Sequence, residues 1–149
     1  MSFFDSIDIA ASGLTAERTR MDVTAENLAN AQTTRGANGL PYQRQEVVLQ
    51  QAGTSASFSS TLAGAMGDPN AQATGGVQVA GIVSDPTPDQ LVYDPGNPDA
   101  NKQGYVRMPN VNTVNEMVDL IDESRSYEAD VTAMSTAKTM YTKTLDLLK

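Results

Sequence analysis

The stretch TVNEMVDLIDESRSYEADVTAMSTAKTMYTKTLDLLK, residues 113–149, contains neither Gly nor Pro and decides the fold. Because Gly and Pro are the residues that most often end helices, this stretch predicts one long helix from about Val114 to Leu148. Thr113 followed by Glu116 fits a capping box at its start. Acidic side chains cluster in the first turns and lysines lie toward the end, as the helix dipole favours.

The N-terminal stretch is also poor in helix breakers. All seven Pro lie between Pro41 and Pro109, and ten of the eleven Gly lie between Gly36 and Gly104. We therefore predict a first helix from about Phe3 to Asn30. The expected fold is mainly α, with long N- and C-terminal helices pairing as a coiled-coil-like bundle around a small irregular β insert. Its expected parts are residues 1–34, 35–110 and 111–149.

Both predicted helices carry a narrow apolar seam with heptad spacing. A seam of this kind requires a partner helix but does not say which molecule supplies it. An intramolecular hairpin and association with neighbouring chains therefore both stay open. We interpret the seam residues as subunit-packing positions: Ile7, Leu14, Met21 and Leu28 in the first helix, and Met117, Leu120, Ile121, Tyr127, Val131, Met134, Tyr141, Leu145 and Leu148 in the second.

The middle of the chain has the composition of short strands and turns. Residues 42–49 and 77–83 are short, partly alternating segments typical of strands and predict two of them, and residues 91–93 predict a third. The Ala, Ser, Thr and Gly residues of 53–76 offer little to bury and predict a flexible loop.

Composition excludes several classes of function. The chain has no Cys, His or Trp, which removes disulfides, thiol nucleophiles and imidazole chemistry. A formal net charge of -8 disfavours nucleic acid and anionic membrane surfaces. With no long apolar run and no basic segment before an apolar one, we expect a soluble, uncleaved protein without direct membrane insertion.

No motif in the chain predicts catalytic residues, metal ligands or a cofactor. Asp94 opens a stretch resembling a calcium loop, but Tyr105 stands where that loop needs a Glu. Glu116, Asp119 and Glu123 share one helix face. They could hold a cation or act as an acid/base pair, yet we expect a solvated face that complements the helix dipole.

Four segments resemble proteins of the flagellar rod and hook, the axial family. The segment NLANAQTT, residues 27–34, resembles that family's Asn-x-Ala-Asn-x-x-Thr motif. Residues 41–48, 104–111 and 124–129 are similar to proximal rod members in the same order along the chain. The matching motif residues are Asn27, Ala29, Asn30, Thr33 and Thr34.

The resemblance implies a structural subunit of the bacterial flagellar basal body, outside the cytoplasmic membrane at the level of the periplasm or cell wall. It implies type III export and polymerisation into the proximal rod that transmits torque to the hook, with terminal helices that complete their packing on assembly. Implied partners are other copies of the chain, rod proteins of the FlgB, FliE, FlgF and FlgG types, and the export apparatus. The motif's Asn and Thr side chains would bond local backbone groups at the end of the first helix.

Two other classes compete with this interpretation. A secreted helical-hairpin adaptor would have stable helices as a monomer and bind one defined partner. A peptidoglycan-cleaving enzyme would need two buried, positioned carboxylates.

Overall fold

A computed structural model describes residues 3–36, 38–52 and 75–146, with side chains from Ser6 onward. The predicted mainly helical fold with a small β part is confirmed. The predicted loop lies outside the described residues, except for Gly75 and Gly76. The elements in chain order are α1 (Phe3–Ala29), β1 (Gln45–Gln51), β2 (Val77–Ser84), β3 (Gln90–Tyr93), β4 (Tyr105–Met108) and α2 (Thr113–Asp146).

The chain forms two compact units. We call one the junction unit, which comprises Thr19–Val48 and Gly81–Ser124. The other, the terminal unit, comprises Met1–Arg18, Leu49–Ala80 and Arg125–Lys149. Each unit therefore combines a part of α1 with a part of α2.

The start of α2 differs from the predicted capping box. The side-chain Oδ1 of Asn112 accepts hydrogen bonds from the backbone N–H groups of Val114 and Asn115, at 3.0 and 3.2 Å. Asn112 is thus the N-cap residue, and it satisfies two amides that the first turn leaves unpaired. The predicted Thr113–Glu116 box is wrong because the Glu116 carboxylate is bound elsewhere in the junction unit.

Strands β3 and β4 form an antiparallel pair in which Leu91 lies opposite Arg107 and Tyr93 opposite Tyr105. The sequence did not predict β4. Successive strand residues point to opposite sides. Val106, 1% exposed, therefore faces inward, whereas Leu91 and Tyr93 are exposed outward.

The turn before β4 requires a glycine at position 104. Gly104 has a φ of +82°, which side-chain-bearing residues rarely adopt. An added Cβ would lie 2.8 Å from Cε2 of Tyr93. The chain therefore passes close to the ring of Tyr93, which packs edge to face against Tyr105 with centroids 5.3 Å apart.

Buried residues are few, and polar side chains form a large part of them. Within the described residues, the junction unit buries apolar Val23, Ala31, Val106, Pro109 and Val111 together with polar Thr24, Asn27, Glu116 and Glu123. In the described part of the terminal unit only Ala16 is buried. No helix in residues 3–36, 38–52 and 75–146 is apolar over a length that could cross a membrane.

Candidate functional site

Asn27, near the end of α1, is the centre of a buried polar cluster in the junction unit. Its amide nitrogen donates to the backbone oxygen of Gln45 at 2.9 Å and to Oε2 of Glu116 at 3.0 Å. Its amide oxygen accepts from the backbone N–H of Gln45 and from the Tyr42 hydroxyl, both at 2.9 Å. Because the side chain pairs with both main-chain groups of Gln45, it acts as an extra ladder partner at the start of β1.

Tyr42 is held in its neutral form at this position. Burial raises its pKa to about 12, with the negative charges of Glu26 and Glu116 adding to the effect. Its hydroxyl therefore keeps the proton that it donates to Asn27 to a higher pH than an ordinary tyrosine does.

Arg44 binds the other oxygen of Glu116. Its Nε donates to Oε1 of Glu116 at 2.5 Å, and its Nη1 pairs with Glu46. Asp85 and Asp119 lie 3.8 and 3.7 Å from its terminal nitrogens. Desolvation lowers the pKa of the guanidinium, but the hydrogen bond and charge of Glu116, with help from Glu46, more than compensate and raise it above its usual value.

The backbone of Arg44 is fixed as well. Its N–H donates to Oδ1 of Asn110 at 2.8 Å, and its carbonyl accepts from the N–H of Asp85 at 2.8 Å. Both the backbone and the side chain of Arg44 are therefore held in place by hydrogen bonds. We call Asn27, Tyr42, Arg44 and Glu116 the polar junction.

Burial of Glu116 and Glu123 overturns the expected solvated face. Glu116 is 1% exposed and Glu123 is 4% exposed. Oε1 of Glu123 accepts from the Thr24 hydroxyl at 3.2 Å and lies 3.5 Å from Nε of Arg20. The prediction failed because the cationic partners of both carboxylates come from distant parts of the sequence. Of the three carboxylates predicted to be solvated, only Asp119 stays partly so, with 48% of its side chain exposed.

The remaining motif residues act near the end of α1. The Asn30 amide donates to the carbonyl of Glu26 at 3.0 Å, and the Thr33 hydroxyl donates to Oδ1 of Asn30 at 3.2 Å. Both bonds are local, but only the Asn30 bond reaches a backbone group as the resemblance implied, because the acceptor of Thr33 is a side chain. Thr34 and Asn27 depart from that prediction, since the Thr34 hydroxyl donates to Oδ2 of Asp99 at 2.7 Å, 65 residues away. Ala29 is exposed.

The predicted seams do not form the buried face of the chain. From Ser6 onward, the buried positions of α1 are Ala16, Val23, Thr24 and Asn27. The seam residues Ile7, Leu14, Met21 and Leu28 of α1 and Leu120, Tyr127 and Met134 of α2 are half-buried. Exposed members are Met117, Ile121, Val131, Tyr141 and Leu145, with 38–54% of their surface free, and Leu148 lies outside the described residues.

A second apolar line lies on α2 and was not predicted from the sequence. Val114, Met117, Val118 and Ile121 follow helical spacing and are 50–67% exposed. They lie on the side opposite to Glu116 and Glu123. The sequence does contain a signal for this line. Val114 and Val118 share a helix face with Met117 and Ile121, whereas Leu120 and Tyr127 lie on a different face. We call these four residues the apolar stripe.

The described residues 3–36, 38–52 and 75–146 contain no group of three or more acidic, His or Cys side chains able to hold a metal ion. Asp94, Asn97 and Asn101, from the stretch compared above with a calcium loop, accept backbone N–H bonds two residues ahead at 2.9–3.2 Å. This is turn geometry, so their oxygens stabilise the loop itself.

Comparisons with known proteins agree with the sequence resemblance. Residues 7–37 match the family model for flagella basal body rod protein, and residues 102–147 match the model for the flagellar basal body rod FlgEFG protein C-terminal region. The flagellar basal-body rod protein FlgC of Bacillus subtilis is 49% identical, with 100% of both chains covered. FlgC of Yersinia enterocolitica is 45% identical over 99% of this chain and 98% of its own length. FlgC of Borreliella burgdorferi is 40% identical over 100% and 99%. Similarity at this level along the whole chain shows that it belongs to the FlgC family of flagellar basal-body rod proteins.

Proposed function

We propose that this chain is a structural subunit of the bacterial flagellar basal-body rod, polymerised in its proximal part and transmitting torque to the hook. The observation that carries the proposal is the contrast between extensive helix and scarce core. In the described part of the terminal unit only Ala16 is buried, although that unit holds more than twenty residues of α2. Apolar surface of this kind gains stability when neighbouring subunits cover it.

The seam residues are the proposed packing positions. Leu14 and Met134 are half-buried, and Val131 and Tyr141 are exposed, so each has surface left for a neighbour. Burying a Leu, Met or Ile side chain stabilises by about 1.5–3 kcal/mol. Several such contacts per helix offset the entropy lost when the helices are ordered. Packing would therefore couple folding of the terminal helices to assembly.

The proposed partners are further copies of the chain and rod proteins of the FlgB, FliE, FlgF and FlgG types, reached after export by the flagellar type III apparatus. Family membership supports this set.

The chemistry of the polar junction fits a mechanical part better than an enzyme. Glu116 and Glu123 are buried, but Arg44 and Arg20 neutralise them. Both carboxylates are thus engaged in contacts within the chain, which suits structural rigidity.

Deletion of the gene tests the proposal. We expect basal bodies without complete rods in electron micrographs and cells that do not swim, with both restored by the intact gene. Complementation by a copy carrying the exposed-site change Ser135→Ala should match the intact gene and controls for expression level. Complete rods and normal swimming in the deletion strain would refute a role as rod subunit.

A further inference from the structure

In the first turns of α2, charged side chains are buried and apolar side chains are exposed, which is the reverse of an ordinary amphipathic helix. The face with Glu116 and Glu123 is buried in the junction unit, while the apolar stripe on the other side faces solvent. Val114 is 67% exposed and Val118 is 52% exposed. A row of apolar side chains spaced i, i+3, i+4, i+7 is the pattern with which a helix enters a groove.

The same unit contains a groove with a mainly polar lining and an apolar wall. Its volume is about 490 Å³, and its lining includes Leu40, Pro41, Pro98 and Tyr105 together with Arg35, Asp99 and Arg107. Leu40 is 60% exposed and Tyr105 is 42% exposed, so apolar surface is available at its wall. We call it the cationic groove.

One pair of opposite charges lies at the edges of the two surfaces. Arg35 lies 3.7 Å from Asp99, which offsets its charge, whereas Arg107 has no ion pair within the described residues. On α2, the exposed Asp122 lies one turn after Val118 at the edge of the apolar stripe. A cationic rim is unusual on a chain with a net charge of -8, and it favours an acidic partner surface.

We propose that the apolar stripe of one copy binds the cationic groove of the next copy, head to tail. The stripe covers about 11 Å of helix, from seven steps of about 1.5 Å. Each copy carries both surfaces, so successive copies cover both without a second protein. Such a heterologous contact need not close on itself. This inference rests on the proposed function, because it specifies how copies of the rod subunit meet.

Cysteine cross-linking tests the contact directly, because the chain has no Cys of its own. Two full-length copies with different tags would be co-expressed in the deletion strain, one carrying Leu40→Cys and the other Val118→Cys. Basal bodies are isolated, treated with a short bismaleimide, and blotted for a dimer that carries both tags. The matched control pairs Leu40→Cys with Thr132→Cys, an exposed position farther along α2.

The expected result is a double-tagged dimer from the Leu40/Val118 pair and none from the control pair. Equal dimer from both pairs would overturn the contact as non-specific. Presence of both copies in basal bodies without a dimer would overturn this contact and leave the proposed function standing. A product joining Val118→Cys to a chain of another mass would assign the stripe to a different rod protein. Absence of the chain from basal bodies would overturn both proposals.

Charge reversal gives an independent measurement. Arg107→Glu alone should lower incorporation into basal bodies by roughly tenfold, because it places like charges across the contact. Asp122→Arg alone should act similarly, and the double variant should recover most of the loss. If the double variant is no better than either single change, the two charges do not meet and the proposal fails.

Discussion

The junction unit and the terminal unit use the same two helices in different ways. In the junction unit, α1 and α2 present Asn27, Glu116 and Glu123, whose partners are provided within the unit. In the terminal unit, the described helical residues bury only Ala16. The difference supports the proposal that one unit carries its stability within the chain, whereas the other gains stability from neighbouring subunits. This division can be tested by substitutions whose effects are measured twice, on the free energy of unfolding of the single chain and on incorporation into rods.

The largest effect on stability is expected from Glu116→Ala. The change leaves the Arg44 guanidinium and the Asn27 amide without their shared partner, and breaking a buried ion pair costs about 3–5 kcal/mol. Urea denaturation of the purified chain measures the loss. Glu128→Ala, an exposed carboxylate in the terminal unit, should change the free energy of unfolding by less than about 0.5 kcal/mol. Equal effects of the two changes would contradict the division between the units.

A somewhat smaller loss is expected from Asn27→Ala. The change removes both bonds to the main chain of Gln45 and leaves the Tyr42 hydroxyl without its acceptor. Buried groups left unsatisfied cost about 1–3 kcal/mol. Asn30→Ala is the matched control within the same motif, because its side chain bonds only to nearby groups at the helix end. If Asn30→Ala proved the more harmful, the assignment of Asn27 as the centre of the polar junction would be wrong.

Tyr42→Phe should cost about 1 kcal/mol at neutral pH, the usual net value of one hydrogen bond. The pH dependence gives a sharper signature. The pKa of Tyr42 in the folded chain is about 12, above its ordinary value of 10.0, so the folded state retains the proton longer. The resulting stability is complete below pH 10 and is lost as the pH rises toward 12. The free energy of unfolding, measured near pH 10 and near pH 12, should fall in the unmodified chain and fall less in Tyr42→Phe.

The smallest effect on the isolated chain, with the clearest effect on assembly, is expected from Leu14→Asp or Met134→Asp. Both residues are half-buried in the terminal unit, so the single chain should lose about 1 kcal/mol or less. Incorporation into rods should fail, because a charge would enter a desolvated seam. Thr15→Asp and Ser135→Asp, on exposed neighbouring positions, are the controls. Normal rod yield from Leu14→Asp would remove the seam from the interface.

Sequence reasoning predicted the helices closely because the distribution of Gly and Pro is a local signal. Helix α1 ends at Ala29 against a predicted end at Asn30, and α2 begins at Thr113 against a predicted Val114. Strand β4 was missed, since its four residues carry Arg107 and stop directly before Pro109. Such a short segment has too little alternation to distinguish it from a loop.

The polar junction could not be predicted from local pattern. Glu116 stands where a capping box needs an acid, so the sequence offered a local role for it. Its actual partner is Arg44, 72 residues away. The seven-residue spacing of Glu116 and Glu123 did place them on one face, but the sequence does not say what that face meets. Asn27 was singled out by family resemblance, which gives a position without its partners. Long-range pairing of charges is set by the folded backbone, and periodicity carries no information about it.

An interior that mixes ion pairs with valines has a consequence for temperature. Unfolding the junction unit would hydrate Glu116, Glu123 and Asn27 along with Val23 and Val106. Hydration of apolar surface raises the heat capacity of unfolding, and hydration of polar surface lowers it. The two contributions oppose each other in this unit, so its stability curve is flatter than that of an all-apolar core of equal size. A rod subunit built around such an interior keeps a similar free energy of unfolding in cold and in warm surroundings.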